Sequence, residues 1–434
     1  MLMWILYNIL FSVGYLLLLP HFFLRMGRRG GYRKNFGERF GCYAAAKVAA
    51  FGSGRIWVHA VSVGEVNLAL ALMDALREGS PALRFVISTT TSTGYAILEK
   101  RKHADDVQLY FPVDFPWVVR RVVALLQPRA FILLECELWP NLLRCLARQN
   151  IPIWVVNGRI SARSYNGYRK VAWFFRRAAA WVTAFYVQTE QDAVRLRKLG
   201  AERITVLGSA KFDLPLPGEC ELERARVAVL EAGMDPTGMF WVMGSTWPGE
   251  EVELLRIFRS LRLKYAGLQG ILVPRHAERG DAVEELLRES ALPYVRRSTL
   301  NRSESGPSAA ILLADTTGEL AGYYMLADIV FVGKSMAGNH GGQNPVEPAA
   351  LGKAVVTGPN MENFSGVMAD LVAANGILVA PDAGVLAALC DNMLSDPECR
   401  KSMGDRAASL VASRRGVMRR SAELILAHLE ESQR

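Results

Sequence analysis

The sequence predicts an α/β protein built from two doubly wound parallel-sheet domains, preceded by a membrane helix. Three observations carry that expectation. Short apolar runs alternate with helical patterns along most of the chain. A Pro/Gly stretch, LPLPGE at Leu214–Glu219, interrupts the alternation once. The first 24 residues contain no Asp, Glu, Lys or Arg. A chain of 434 residues also exceeds one ordinary core and is expected to divide.

The charge-free run, residues 1–24, is long enough to span or embed in a bilayer. Arg25, Arg28, Arg29, Arg33 and Lys34 follow it. No basic region precedes the apolar segment, so it does not read as a signal peptide. Basic residues on its far side place the body of the protein on the cytoplasmic side of the membrane.

Domain one is expected over residues 25–213. Its strand-like runs are Arg55–Val63, Arg84–Thr89, Val107–Phe111, Ala130–Leu134, Ile153–Val156, Phe185–Gln188 and Ile204–Leu207. Residues 214–220 form the linker. The pattern restarts over residues 221–434, at Phe240–Gly244, Gly270–Val273, Ala309–Leu313, Ile329–Val332, Ala354–Thr357 and Ile377–Val379. Asn301–Ser308 reads as a loop. Ala383–His428 reads as helical, with a last helix free to pack back on the first domain. Strands alternating with helices give parallel sheets covered on both faces, with ligands at the carboxyl ends of the strands.

Hydrophobic content of 51% and charged content of 21% are those of a globular protein. The net charge of +9 favours an anionic partner. The stretch from Arg163 to Arg177 interleaves Lys170, Arg169 and Arg176 with Trp173, Phe174 and Phe175, which suits acidic headgroups or substrate phosphates. Nucleic acid ranks below a membrane because no nucleic-acid module is present. Six cysteines without a CxxC pair argue for reduced thiols, and neither cysteines nor histidines show metal-ligand spacing.

Candidate chemistry gathers at the predicted strand ends. Glu65 opens a helix after the first strand and is placed to act as a general base on a sugar hydroxyl; the plainer reading is an acid favouring the helix dipole. Glu135 and Glu137 follow Ala130–Leu134 and would bind hydroxyls, stabilise positive charge or simply start a helix. Arg159, Ser161 and Arg163 are candidates for acceptor phosphates. Lys211 could stabilise charge on a leaving group. Ser245 and Thr246 precede a helix in a phosphate-binding arrangement that is no Walker loop. Arg275, after Pro274, could take a phosphate bidentately. Gly318, Glu319 and Leu320 end another strand. The glycine-rich loop at Gly338–Gly342 leads to Asn344, Pro345, Val346 and Glu347, where a helix N-terminus could face an anion and Glu347 a ribose.

Taken together, 59-HAVSVGE-65, 135-ECELWPN-141, 157-NGRIS-161, 208-GSAKFD-213, 244-GSTWPGEE-251, 274-PRH-276, 318-GEL-320 and 341-GGQNPVEPAALGK-353 resemble the 3-deoxy-D-manno-octulosonic acid (Kdo) transferases of lipopolysaccharide synthesis. The resemblance implies a GT-B glycosyltransferase with two Rossmann-like domains facing each other across a cleft. It implies inverting, metal-independent transfer of Kdo from CMP-Kdo to a lipid A precursor (lipid IVA) at the inner membrane. Glu65 would be the base, Glu135 (Glu137 less so) and Lys211 the transition-state stabilisers. Pro274, Arg275, Gly318–Leu320 and Asn344–Glu347 would contact CMP. The chain departs from the family at Gly333-Lys334-Ser335, often Gly-Gly-Ser, and at Gln343, commonly His. The alternatives are a sugar-nucleotide epimerase of related architecture and a non-catalytic lipid- or polysaccharide-binding membrane protein.

Overall fold

The computed structural model describes residues 2–29, 35–213, 215–300 and 309–431, and the side chains of the first helix at residues 4–19. The loop expected at Asn301–Ser308 lies outside the described residues. The chain divides into two compact units, Met1–Asp213 with Gly416–Arg434, and Leu214–Arg415.

The first unit holds a seven-stranded parallel sheet of order β3-β2-β1-β4-β5-β6-β7. Its strands are β1 (Ile56–His59), β2 (Phe85–Thr89), β3 (Val107–Tyr110), β4 (Ala130–Leu134), β5 (Ile153–Gly158), β6 (Ala184–Val187) and β7 (Ile204–Val206). Alternate side chains feed two cores, as a sheet covered on both faces requires. Ile56, Val58, Ile132 and Leu134 pack with the helices Val63–Gly79 and Val417–Glu431. Trp57, Phe131 and Leu133 pack with the helix Pro116–Leu126. The strand order reverses between β1 and β4, so the connections leaving these strands run to opposite sides and open a crevice at their carboxyl ends.

The second unit repeats this plan in the order β10-β11-β9-β8-β12-β13-β14. Its strands are β8 (Met239–Thr246), β9 (Leu268–Pro274), β10 (Tyr294–Arg296), β11 (Ile311–Leu313), β12 (Ile329–Val332), β13 (Ala354–Thr357) and β14 (Leu378–Val379). Among the described strands, the edge strand β10 is the one the apolar pattern does not announce: it is three residues long and half-buried, and its third residue is an arginine. The reversal here lies between β8 and β12.

The helical stretch expected at Ala383–His428 is three helices: Ala383–Ser395, Pro397–Arg414 and Val417–Glu431. Asp396 caps the second through the Cys399 amide, with proline at the first helical position. Gly416, at φ 88°, separates the second from the third. The Asp213 carboxylate accepts from the Gly416 and Met418 amides (2.6 and 2.7 Å) and so fixes the start of the last helix.

The N-terminal segment bears on the expected membrane helix. Residues Leu2–Arg29 form a helix, but among the described residues no helix is long and apolar enough to cross a membrane. One face of this helix packs on the protein. Trp4, Tyr7, Phe11 and Tyr15 fall on one face at helical spacing and dock on the first unit. Trp4 stacks on Trp181 (5.3 Å), Tyr7 on Phe174 (5.4 Å), and Phe11 and Tyr15 meet Phe115 edge-on. The Tyr7 hydroxyl donates to Asp114 at 2.8 Å. Away from that face Ile5, Leu6, Ile9, Leu10, Val13, Leu16 and Leu17 are exposed.

Candidate functional site

In the first unit, four strand ends bring five charged side chains into one electrostatic group. Glu65 is the third residue of the helix Val63–Gly79 and forms a capping box with Ser62. Its carboxylate accepts from the Val61 amide (2.8 Å), the Ser62 amide (3.3 Å) and the Ser62 hydroxyl (2.8 Å). Glu65 is thus both the helix cap of the plainer reading and a carboxylate held in a fixed orientation at the mouth of the crevice.

Glu135 follows β4 directly, across the reversal from Glu65. Its φ of 60° is unusual for a residue with a side chain, and its amide is tied to the Val156 carbonyl (3.0 Å). Burial raises its pKa, and the Glu65 charge raises it further, while Lys211 and Arg159 pull it back. For Glu137, partial desolvation and then the charges of Glu65 and Glu135 push the carboxyl up to about 7, although the side chain is open to solvent on one side.

Lys211 sits on the tight turn Ala210–Asp213 after β7. Desolvation, then the Arg159 charge, brings its ammonium down to about 8 against the opposing effect of Glu135. The turn is placed by Asn157, buried at the end of β5, whose side-chain oxygen accepts from the Ala210 amide at 3.0 Å. The next residue, Gly158, has little space for a side chain. A Cβ at Gly158 would stand 3.2 Å from Cys136 Sγ and from Val187 Cγ1. Glu65, Glu135, Glu137, Arg159 and Lys211 therefore form one cluster of three acids and two bases.

Ser161 and Arg163 play other parts. Ser161 caps the helix Ala162–Lys170 through the Ser164 amide (3.1 Å), and Arg163 is exposed on that helix. His59, the first residue of the HAVSVGE stretch, is fully buried, stacked on Phe111 and hydrogen-bonded through Nδ1 to Ser88. Burial, opposed by the Ser88 carbonyl, lowers its pKa to about 3, so the ring is neutral.

The second unit gathers a different set. Arg275 is exposed at the end of β9, with its amide on the Thr246 carbonyl (3.0 Å), which joins the Ser245–Thr246 turn to the Pro274–Arg275 turn. Thr246 is buried and Ser245 adopts φ 54°. Asn344 donates to Glu347 (3.0 Å) and accepts from the Val346 amide (3.1 Å). Burial raises the Glu347 pKa, and Asn344 and Arg275 draw it down, so Arg275 and Glu347 share one field. The helix after Pro345 is a single turn, Val346–Ala350, and Asn344 already takes its first amide. Glu347 and Arg275, rather than a helix N-terminus, are the polar groups presented there.

Glu319 has partners of its own: Arg297 (3.3 Å), the Tyr323 hydroxyl (3.2 Å) and the Thr316 hydroxyl. Gly318, at φ 88°, and Leu320 flank it at the start of the helix Leu320–Leu326. Lys334, where the family often has glycine, adopts a left-handed φ of 61° and lays its ammonium 4.8 Å over the Trp247 ring. Among the described residues no group of three or more His, Cys, Asp or Glu side chains is placed to hold a metal ion.

One organising residue escapes the sequence. The Glu250 carboxylate, 1% exposed, accepts from the amides of Trp247 (2.9 Å), Lys334 (2.8 Å), Ser335 (2.8 Å) and Met336 (3.0 Å). It stitches the loops after β8 and β12 together at the point where the strand order reverses. The spacing from Trp247 to Glu250 hints at a local cap, but nothing local signals residues 334–336.

The comparisons with known proteins bear on both units. Residues 34–214 match the family model for 3-deoxy-D-manno-octulosonic-acid transferase (kdotransferase), and residues 307–410 match glycosyl transferases group 1. The chain is 33% identical over 405 residues to the 3-deoxy-D-manno-octulosonic acid transferase of Haemophilus influenzae, covering 92% of this chain and 93% of that one. It is 36% identical over 415 residues to the enzyme of the same name from Bordetella pertussis, covering 92% and 94%. Among solved structures, a UDP-GlcNAc 2-epimerase from Neisseria meningitidis aligns with a TM-score of 0.59 at 12% identity, over 87% of this chain and all of that one. A glycosyltransferase from Rickettsia africae aligns with a TM-score of 0.57 at 13% identity, over 86% and 98%. The two structural likenesses are of fold alone, two parallel-sheet α/β domains. The sequence relationship is closer, and by it the chain belongs to the 3-deoxy-D-manno-octulosonic acid transferase family.

Proposed function

We propose that the protein is an inverting glycosyltransferase that moves Kdo from CMP-Kdo to a lipid A precursor (lipid IVA) in lipopolysaccharide synthesis. The observation that carries this reading is the charged cluster of the first unit, found at a sheet reversal in a member of this family. Glu65 takes the proton of the attacking acceptor hydroxyl. Its two donors from Ser62 and one from Val61 fix the carboxylate for that step. Glu135, with Glu137 beside it, offsets the positive charge that develops on the sugar ring as the bond to phosphate breaks. Lys211 stabilises negative charge in the transition state, a role that needs no metal ion. Arg159 belongs to the same field and would receive an acceptor phosphate.

The second unit would hold CMP. Arg275 supplies charge to the phosphate, and Asn344, Glu347 and the turns at Pro274, Ser245–Thr246 and Gly318–Leu320 shape the nucleotide pocket. The protein would work at the cytoplasmic surface of the inner membrane, resting on the exposed apolar face of its first helix. Trp117 and Trp173, 64% and 57% exposed, suit the same interface. Replacing Glu65 by Gln tests the central role. Transfer is expected to fall by about three orders of magnitude, a typical value for a lost general base, while CMP binding stays at the wild-type level. Full transfer in that variant would overturn the assignment.

A further inference from the structure

The segment between β4 and the helix Pro140–Ala147 carries Glu135 and Glu137, and its two ends are fixed differently. At the start, the Glu135 amide is bound to the neighbouring strand at Val156. At the far end the helix has no side-chain cap of its own, since Trp139 occupies the capping position and Pro140 has no amide hydrogen. The first two amides that the helix does offer, Asn141 and Leu142, donate to the two oxygens of Asp114 at 2.9 Å each. Asp114 lies in the β3 connection, 1% exposed.

The same carboxylate accepts the hydroxyl of Tyr7 at 2.8 Å, and the Asn141 side chain donates both to the Asp114 carbonyl (2.6 Å) and to Asn8 Oδ1 (2.7 Å). Two residues of the N-terminal helix therefore complete the cap of the helix that ends the acidic segment. Glu135 is held at a φ of 60°, a conformation that persists only where its surroundings impose it. Meanwhile the outer face of the N-terminal helix is apolar and exposed.

We propose that Tyr7, Asn8 and Asp114 are positioning residues, through which the seating of the N-terminal helix sets the geometry of Glu135 and Glu137. The inference rests on the catalytic reading of those two acids and adds a structural cause for it. An N-terminal helix loosened from its seat gives up the Tyr7 and Asn8 bonds, the carboxylate of Asp114 is less constrained, and the acidic segment loses its second anchor.

The test uses the full chain carrying Tyr7→Phe together with Asn8→Ala, assayed with lipid A precursor in detergent micelles. The kcat is expected to fall about tenfold with the KM for CMP-Kdo within about twofold of wild type. Hydrogen exchange at the Asn141 and Leu142 amides is expected to quicken. Trp4→Phe, which keeps an aromatic ring against Trp181 and Phe174 and leaves the Tyr7 and Asn8 bonds in place, is expected to keep wild-type kcat. Wild-type kcat in the double variant, or unchanged exchange at the two amides, would overturn the proposal. An equal loss of kcat in Trp4→Phe would overturn it as well, reducing the network to general packing. The exchange readout needs no substrate, so a wild-type protein that transferred no Kdo would count against the function alone.

Discussion

The Lys211 ammonium offers the sharpest test of the charged cluster, because two neighbours act on it in opposite directions. Burial and the Arg159 charge bring it down to about 8, and Glu135 holds it up. If transfer requires the ammonium, activity is lost as pH rises through about 8, where half of the side chain is deprotonated. A close charge shifts such a group by about one unit, or about 1.4 kcal/mol. Arg159→Gln removes the repelling charge, so the alkaline limb should move up to about 9 on that one-unit scale. Glu135→Gln removes the attracting charge, and the limb of its residual activity should move down to about 7 by the same measure. The assay is the pH dependence of kcat from neutral to strongly alkaline buffer for the three proteins. Limbs that coincide, or that move in the same direction, would refute the placing of Lys211 between these two charges.

Two further outcomes follow from close packing and burial. Gly333→Ala would place a Cβ 2.4 Å from the Ser245 carbonyl and 2.8 Å from Glu250, pushing apart the loops that Glu250 joins. It should cost about 1–3 kcal/mol in denaturant unfolding and weaken CMP binding measured by calorimetry; wild-type values of both would contradict the stitching role of Glu250. His59 binds its proton at about 3 in the folded state and at about 6.5 when unfolded, so below the unfolded value the unfolded state holds more protons. Stability should fall by about 1.4 kcal/mol per pH unit from about 6.5 downward, and His59→Gln should flatten that slope in urea titrations. Equal slopes would show that the buried ring is not its source.

The strands of both sheets were legible because parallel strands covered on both faces read as continuous apolar runs. Ala130–Leu134 and Ile153–Val156 are plain examples. β10 was hidden because three half-buried residues ending in an arginine, Tyr294–Arg296, carry no such run. Glu65, Glu135 and Lys211 could be found as strand-end residues, since doubly wound sheets place their ligands there. What holds them could not. The Asn157–Ala210 and Asp213–Met418 hydrogen bonds, like Glu250–Ser335 in the second unit, join residues far apart in the chain, and no local pattern encodes such a pairing. Ser62–Glu65 is the exception, a capping box readable from its spacing alone. The docking of the first helix was hidden for a related reason. A charge-free run does not say which face of its helix meets the protein, and Trp4, Tyr7, Phe11 and Tyr15 dock on the first unit through their helical spacing.

The central claim is the transfer itself. Purified full-length protein, incubated with CMP-Kdo and lipid A precursor, should yield a lipid whose mass has grown by whole Kdo residues, with CMP released in equal amount. The Glu65→Gln protein should leave the lipid mass unchanged. A wild-type reaction in which the lipid keeps its original mass and CMP-Kdo is not consumed would contradict the proposed function directly.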